Sequence, residues 1–241
     1  MLGCIGCLLG GGLMAEPTPK ELFDLGVKSN KAKDFTQAKK YFEKACELNY
    51  GMGCFALGVL YTNKDFGEKN YKKALALMTK GCELNYALGC GFLGNLYKDN
   101  GSMVKKDLRK AAQYYSKACE LNLGIGCSLL GNLYQNGNGV KKDLKKAFAS
   151  YAKACGLKEG DGCFRLGEIQ RSGEGVVKNK KQAMENFKKG CELKNELACK
   201  GYIVTEAEIM KERCELGDEM ACDTLNRLLD LVESTGLENS K

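Results

Sequence analysis

The sequence contains no histidine. That absence removes His-based acid/base catalysis, Ser-His and Cys-His dyads, and histidine-containing zinc sites together. Beyond Cys7 there is no C-x-x-C pair, so the body of the chain offers neither the zinc knuckle nor the dithiol redox motif. Every cysteine after residue 15 has a partner at a fixed spacing, which leaves no free thiol for redox or nucleophilic work. The apolar run Met1 to Ala15 is too short for a transmembrane helix, which needs ~20 residues. It ends in a small residue and lacks a basic residue ahead of it; it reads as a signal peptide cut after Ala15. Too little hydrophobic sequence precedes Cys4 or Cys7 for a lipoprotein signal. Export to the periplasm or the extracellular space is expected, with no membrane span.

What the chain has in abundance is repetition. Six cysteine pairs, each eight residues apart, are Cys46 with Cys54, Cys82 with Cys90, Cys119 with Cys127, Cys155 with Cys163, Cys191 with Cys199, and Cys214 with Cys222. On one helix such residues lie ~12 Å apart, beyond the ~4.4 to 6.8 Å between Cα atoms that a disulfide tolerates. A turn must therefore separate them. N-Y-G-M-G, N-Y-A-L-G, N-L-G-I-G and K-E-G-D-G supply one, with Asn or Gly where a left-handed C-cap would sit. The pairs are expected to be disulfides stapling helical hairpins, each worth ~2.5 kcal/mol in the chain-entropy account. An oxidising compartment is implied.

Twelve residues before the first cysteine of successive pairs stand Asp34, Asn70, Asp107, Asp143 and Asn179, all preferred N-cap residues. From each cap, plus four is Ala38, Ala74, Ala111, Ala147 or Ala183, and plus eight is Phe42, Met78, Tyr115, Tyr151 or Phe187. With the cysteine at plus twelve this is one helical stripe, on a helix B that ends at Leu48, Leu84, Leu121, Leu157 and Leu193. After the second cysteine a helix A carries apolar residues at plus three, six and seven, ending in Tyr61, Tyr97 and Tyr134 in the first three units. At plus four stand Gly58, Gly94, Gly131 and Gly167; a glycine there costs ~1 kcal/mol against alanine, so its recurrence implies a neighbour too close for a Cβ. In the first unit Leu22 occupies the cysteine position. At the far end Ile203 replaces the glycine, Asp223 to Glu233 should close the stack, and Ser234 to Lys241 should be disordered.

The run C-x-x-L-G-N-L-Y-x-N-G-x-G-V-x-K-D-L-x-K-A-x-x-x-Y-x-K-A-C resembles the Sel-like repeat, a relative of the tetratricopeptide repeat. With its cysteine pairs the chain resembles the secreted Helicobacter cysteine-rich proteins over roughly residues 20 to 230. The resemblance implies an all-α, right-handed superhelical solenoid of disulfide-stapled helix pairs that binds partners on its concave surface. Some members of that family are described as penicillin-binding proteins or weak β-lactamases. The division expected is a signal peptide at 1–15, an N-terminal capping helix pair at 16–50, four repeats of about 36 residues at 51–195, and a truncated repeat with a closing helix at 196–241.

The formal charge of +7 is spread as lysine over nearly every repeat, which favours a solvated basic face over a nucleic-acid stripe. A protein or peptide partner is expected, with no nucleic acid, cofactor or metal, and a monomeric chain. Stacked hairpins give an extended curved surface lined by helix A, so its plus-five and plus-eight positions are candidates: Val59 and Thr62, Asn95 and Lys98, Asn132 and Gln135, Glu168 and Arg171. The Asn95 and Asn132 carboxamides could pair with a peptide backbone. For β-lactam chemistry, Ser150 with Lys153 and Ser102 with Lys105 match S-x-x-K, but neither S-D-N nor K-T-G occurs. Lys153 also belongs to a lattice with Lys44, Lys80, Lys117 and Lys189.

Overall fold

The computed structural model describes residues 16–67 and 69–235. Its helices are α1 (Pro19–Lys31), α2 (Phe35–Glu47), α3 (Gly51–Leu60), α4 (Tyr71–Glu83), α5 (Ala87–Lys98), α6 (Leu108–Glu120), α7 (Gly124–Asn136), α8 (Leu144–Gly156), α9 (Gly160–Ser172), α10 (Lys180–Glu192), α11 (Glu196–Glu215) and α12 (Glu219–Thr235), with a short 3-10 turn at Lys64–Phe66. No strand occurs among the described residues. Odd-numbered helices from α1 to α9 are the A helices and α2 to α10 the B helices. None of the described helices is long and apolar enough to cross a membrane, and the expected signal peptide lies outside the described residues.

Each B helix starts where the cap residues fall. The side chains of Asp34, Asn70, Asp107, Asp143 and Asn179 accept from first-turn amides, for instance Asn70 Oδ1 from Lys73 N at 2.9 Å. This satisfies donors that a helix start otherwise leaves orphaned. Leu48, Leu84, Leu121, Leu157 and Leu193 are the C-cap residues of these helices, one position past the last helical residue.

The turn between B and A differs in one respect from expectation. The left-handed residue is Asn49, Asn85, Asn122, Lys158 or Lys194, at φ of 60–64°, and the glycines that follow lie inside helix A. Their purpose is approach: a Cβ on Gly53 would lie 2.7 Å from that of Ala45, and one on Gly126 2.8 Å from that of Ala118. Bare backbone there lets the facing helices close until the cysteines meet.

Six disulfides result, each between sulfurs eight residues apart. Cys46 bonds Cys54 across α2 and α3, Cys82 bonds Cys90 across α4 and α5, and Cys119 bonds Cys127 across α6 and α7. Cys155 bonds Cys163 across α8 and α9, Cys191 bonds Cys199 across α10 and α11, and Cys214 bonds Cys222 across α11 and α12. Cα separations of 4.4 to 4.8 Å put all six at the close end of what the bond tolerates. Burial within a staple is uneven: Cys54, Cys90, Cys127 and Cys163, which open the A helices, are fully buried, whereas Cys155 and Cys222 are half-buried.

The core is quasi-one-dimensional, as stacked repeats require. Ala38, Ala74, Ala111, Ala147 and Ala183 are fully buried, and the plus-eight residues Phe42, Met78, Tyr115, Tyr151 and Phe187 pack between layers. The helix A glycines face these residues: a Cβ on Gly131 would lie 2.5 Å from the Tyr151 ring, and one on Gly167 2.6 Å from the Phe187 ring.

The ends depart from the regular unit. A capping box of Thr18 with Glu21 opens α1, and Leu22 fills the cysteine position as a buried side chain. Near the other end α11 is one continuous helix carrying both Cys199 and Cys214, so the short unit lacks an internal turn. Gly201 takes up the close contact with Phe187 that Ile203 cannot make. The closing helix begins earlier than expected, at Glu219, and runs to Thr235. Ser234 and Thr235 are thus helical rather than disordered, and the bond from Cys214 to Cys222 ties the first turn of α12 to α11; residues 236–241 lie outside the described residues.

Candidate partner-binding face

The A helices form the inner row of the stack: α1 packs on α3, α7 on α9 and α9 on α11, directly across repeats. Leu57 and Leu60 of α3, and their equivalents, turn into the core. Geometry then leaves the i, i+4, i+7 stripe on the far side of each helix to line the open face. Along the stack that stripe reads Met52, Ala56, Val59, then Leu88, Phe92, Asn95, then Ile125, Leu129, Asn132, then Asp161, Arg165, Glu168. It passes from apolar to charged.

At the N-terminal end, Phe23, Val27, Phe42, Met52, Phe55, Ala56, Val59 and Tyr86 line an apolar groove of about 330 Å³, with Asn30 and Asn63 at its rim. Phe55 packs edge-on against Phe92, with ring centroids 5.3 Å apart. Val59, Leu88, Phe92 and Ile125 remain 39–56% exposed, although a core was available to take them. Of the candidate positions read from sequence, Val59 alone lines this groove, which that reading otherwise missed. Its signal was present in apolar residues on helix A outside the plus three, six and seven core set.

In the middle, two asparagines are held from behind. The Tyr115 hydroxyl donates to Asn95 Oδ1 at 2.7 Å. The Tyr151 hydroxyl lies 2.7 Å from Asn132 Oδ1 and 2.8 Å from Gln135 Oε1, its single proton shared between them. Burial pushes both phenols well above the usual tyrosine range, so each stays a neutral donor. Each carboxamide oxygen is therefore held by one hydrogen bond and keeps a second lone pair, and the Nδ2 ends remain to donate. Tyrosine stands at plus eight of helix B only in the two units with asparagine at plus five of the preceding helix A; elsewhere the pairs are Val27 with Phe42, Val59 with Met78 and Glu168 with Phe187. That covariation within the chain would have revealed the pin. Beside it, Lys98, Lys106, Asn132, Asn136 and Asn138 help line a polar groove of about 320 Å³.

At the C-terminal end the face is closed by ion pairs. Arg171 bridges Glu168 (3.2 Å) and Glu208 of α11 (2.9 Å), and Lys180 reaches Glu208 (2.9 Å) and Glu212 (2.7 Å). Ser128 is buried and donates to Asp161, which pairs with Arg165 at 3.6 Å. Glu168 and Arg171, candidate recognition residues, are thus largely engaged with each other and with α11.

The S-x-x-K matches are not brought into catalytic arrangements. Ser150 lies on α8, 9% exposed, and donates to the Lys146 carbonyl one turn back at 2.8 Å, while Lys153 is exposed. Ser102 and Lys105 are exposed in the α5–α6 loop, where the Ser102 hydroxyl faces that of Tyr71 at 3.5 Å. Tyr61 and Tyr97 are buried and Tyr134 half-buried.

The Sel1 repeat model matches residues 22–50, 51–86, 87–123, 125–158 and 160–195. Among curated proteins of Helicobacter pylori, HcpC is 64% identical over 70 residues (29% of this chain, 24% of HcpC), and HcpA, named a β-lactamase, is 53% identical over 72 (30% of this chain, 29% of HcpA). The matched stretches thus span about a quarter of those relatives' length. The crystal structure of c5321, a protective antigen of uropathogenic Escherichia coli strains displaying an SLR fold, superposes with a TM-score of 0.71 at 22% identity, covering 87% of this chain and 49% of c5321. With a shared solenoid and a repeat model matched over most of its length, the chain belongs to the Sel1 repeat family.

Proposed function

We propose that the protein is an exported scaffold that binds an extended segment of a partner protein along its concave face. The observation that carries this reading is the pair of tyrosine-pinned asparagines. Asn95 and Asn132 stand at equivalent positions of adjacent repeats, each with its oxygen engaged and its N–H2 end left to donate. Backbone carbonyls of an extended chain are matching acceptors, and donors fixed beforehand lose little side-chain entropy on binding. The apolar groove beside Phe55 would receive a bulky apolar side chain of the same segment. Export is supported by the six disulfides and by the similarity to the Helicobacter cysteine-rich proteins.

The test starts with capture of partners from envelope and host fractions by the oxidised protein. Asn95→Ala with Asn132→Ala should then reduce affinity for the captured partner at least ~10-fold, at ~1 kcal/mol for each hydrogen bond. Tyr151→Phe should reduce it less, since it frees the amide without removing it. Unchanged binding by the double variant would place recognition elsewhere.

A β-lactamase reading rests on the name of HcpA. It requires stoichiometric acylation by a labelled penicillin that Ser150→Ala or Ser102→Ala abolishes. The hydroxyl of Ser150 is engaged with its own helix, and no acylation of the folded protein is expected.

A further inference from the structure

The positive charge of the chain is not evenly distributed over the folded molecule. At the starts of four of the five B helices a basic cluster recurs: Lys69, Lys72 and Lys73 at α4; Lys105, Lys106, Arg109 and Lys110 at α6; Lys141, Lys142, Lys145 and Lys146 at α8; Lys178 and Lys181 at α10. All of these side chains are exposed. Because the four helices occupy equivalent places in the stack, the clusters form a row along one edge of the solenoid. Like charges placed in this way along one edge sum to a single positive field that salt screens.

Three features make this row more than scattered lysine. The carboxylates within it, Asp107 and Asp143, are turned onto the amides of Arg109, Lys110 and Lys146 as caps, so the helix start absorbs their charge. Lys105, Lys106, Arg109, Lys110, Lys141 and Lys145 form no ion pair among the described residues; Lys142 with Glu174 and Lys146 with Asp143 are long contacts at 3.6 and 4.0 Å. Finally, one lysine per repeat is held in place: Lys73 over the Tyr61 ring at 4.5 Å, Lys110 over Tyr97 at 5.1 Å and Lys146 over Tyr134 at 5.4 Å. At the other end of α4, α6 and α10, lysines alternate with Glu83, Glu120 and Glu192.

We propose that this basic edge is a docking surface for a linear sulfated polysaccharide. A narrow row of regularly spaced charge matches a chain carrying anions at regular intervals. The tyrosine faces along the row are already covered by lysines, which leaves no platform for stacking bases. Val177 is the one strongly exposed large apolar side chain among the described residues of these loops, too little to seat the edge in a bilayer. The surface meets the concave face at Lys106, and the proposal does not depend on the reading given for that face.

The experiment measures anisotropy of a labelled heparin oligosaccharide with the full oxidised chain. Binding is expected at about 0.15 M salt and should weaken steeply as salt rises. A variant with Lys105, Lys106, Lys141 and Lys142 changed to Gln should lose at least about tenfold in affinity. A control with Lys44, Lys80, Lys117 and Lys153 changed to Gln, equal in net charge, should stay close to wild type. Equal loss in both variants, or no binding by the wild type, would overturn the proposal. So would single-stranded DNA bound as tightly as heparin, or phosphatidylserine vesicles bound through the same lysines while heparin is not. Unchanged melting temperatures of both variants exclude unfolding as the cause.

Discussion

The stretch from α3 to α5 and the stretch from α9 to α11 share a lattice and differ in almost everything exposed on it. Their cores match: Ala74 and Ala183 are fully buried, and Met78 and Phe187 fill the same plus-eight site. On the open face Met52 and Val59 correspond to Asp161 and Glu168. The first stretch leaves apolar groove walls uncovered, whereas the second ties its side chains to α11 through Arg171 and Lys180. In a solenoid each repeat touches only its neighbours, through one face. The other face can therefore change from apolar to ionic without disturbing the stack. Stability and recognition are separable here, residue by residue.

Breaking the staples gives the largest expected contrast. Cys82 and Cys90 are 0–1% exposed, while Cys191 and Cys199 are half-buried. Replacing the first pair by alanine should cost ~2–5 kcal/mol, from loop entropy together with lost packing, and the second pair should fall at the low end of that range. Urea titration of the two variants measures the difference; equal losses would mean that burial adds nothing to the staple. Next in size is the glycine seam. Gly131→Ala forces a Cβ against the Tyr151 ring and should cost ~1–3 kcal/mol. Gly101→Ala, with nothing within 4 Å, should stay within ~0.5 kcal/mol of wild type.

Caps, core stripe, staples and glycine seam were legible in the sequence because each is written at a fixed offset and repeated in phase. The left-handed turn residue was harder to place. Asn and Gly stand side by side in N-L-G-I-G, and only the closeness of Ala118 to Gly126 shows which one turns the chain and which one permits packing. The fusion of the short unit into α11 was not legible, because no local stop signal distinguishes a tight turn from none. On the open face, Asn95 and Asn132 were identified, but not the tyrosines that hold them. Those partners lie 20 and 19 residues away on the next helix, and a stripe read one helix at a time does not connect them. Arg171 and Glu168 looked free because Glu208 belongs to a unit outside the regular lattice.

The smallest effect expected separates the two stretches by pH. Burial pushes the Glu208 carboxyl up, but hydrogen bonds from Lys180 and Arg171 outweigh it and hold the group below its ordinary 4.5. A carboxyl depressed in the folded state contributes stability above its unfolded value, and that contribution disappears as pH falls through the folded one. The pairs are partly exposed, at 16–61% for Lys180, Glu208 and Glu212, and solvent screening keeps the effect below about 1 kcal/mol. Between about pH 6 and about pH 3, amide exchange corrected for intrinsic rates should accelerate in α9 and α11 more than in α3 and α5, which carry no such cluster. Glu208→Gln should flatten that difference by removing the titrating group while keeping its shape. Equal acceleration in both stretches would show that the ion pairs contribute nothing specific to the C-terminal half, leaving its closed face to packing alone.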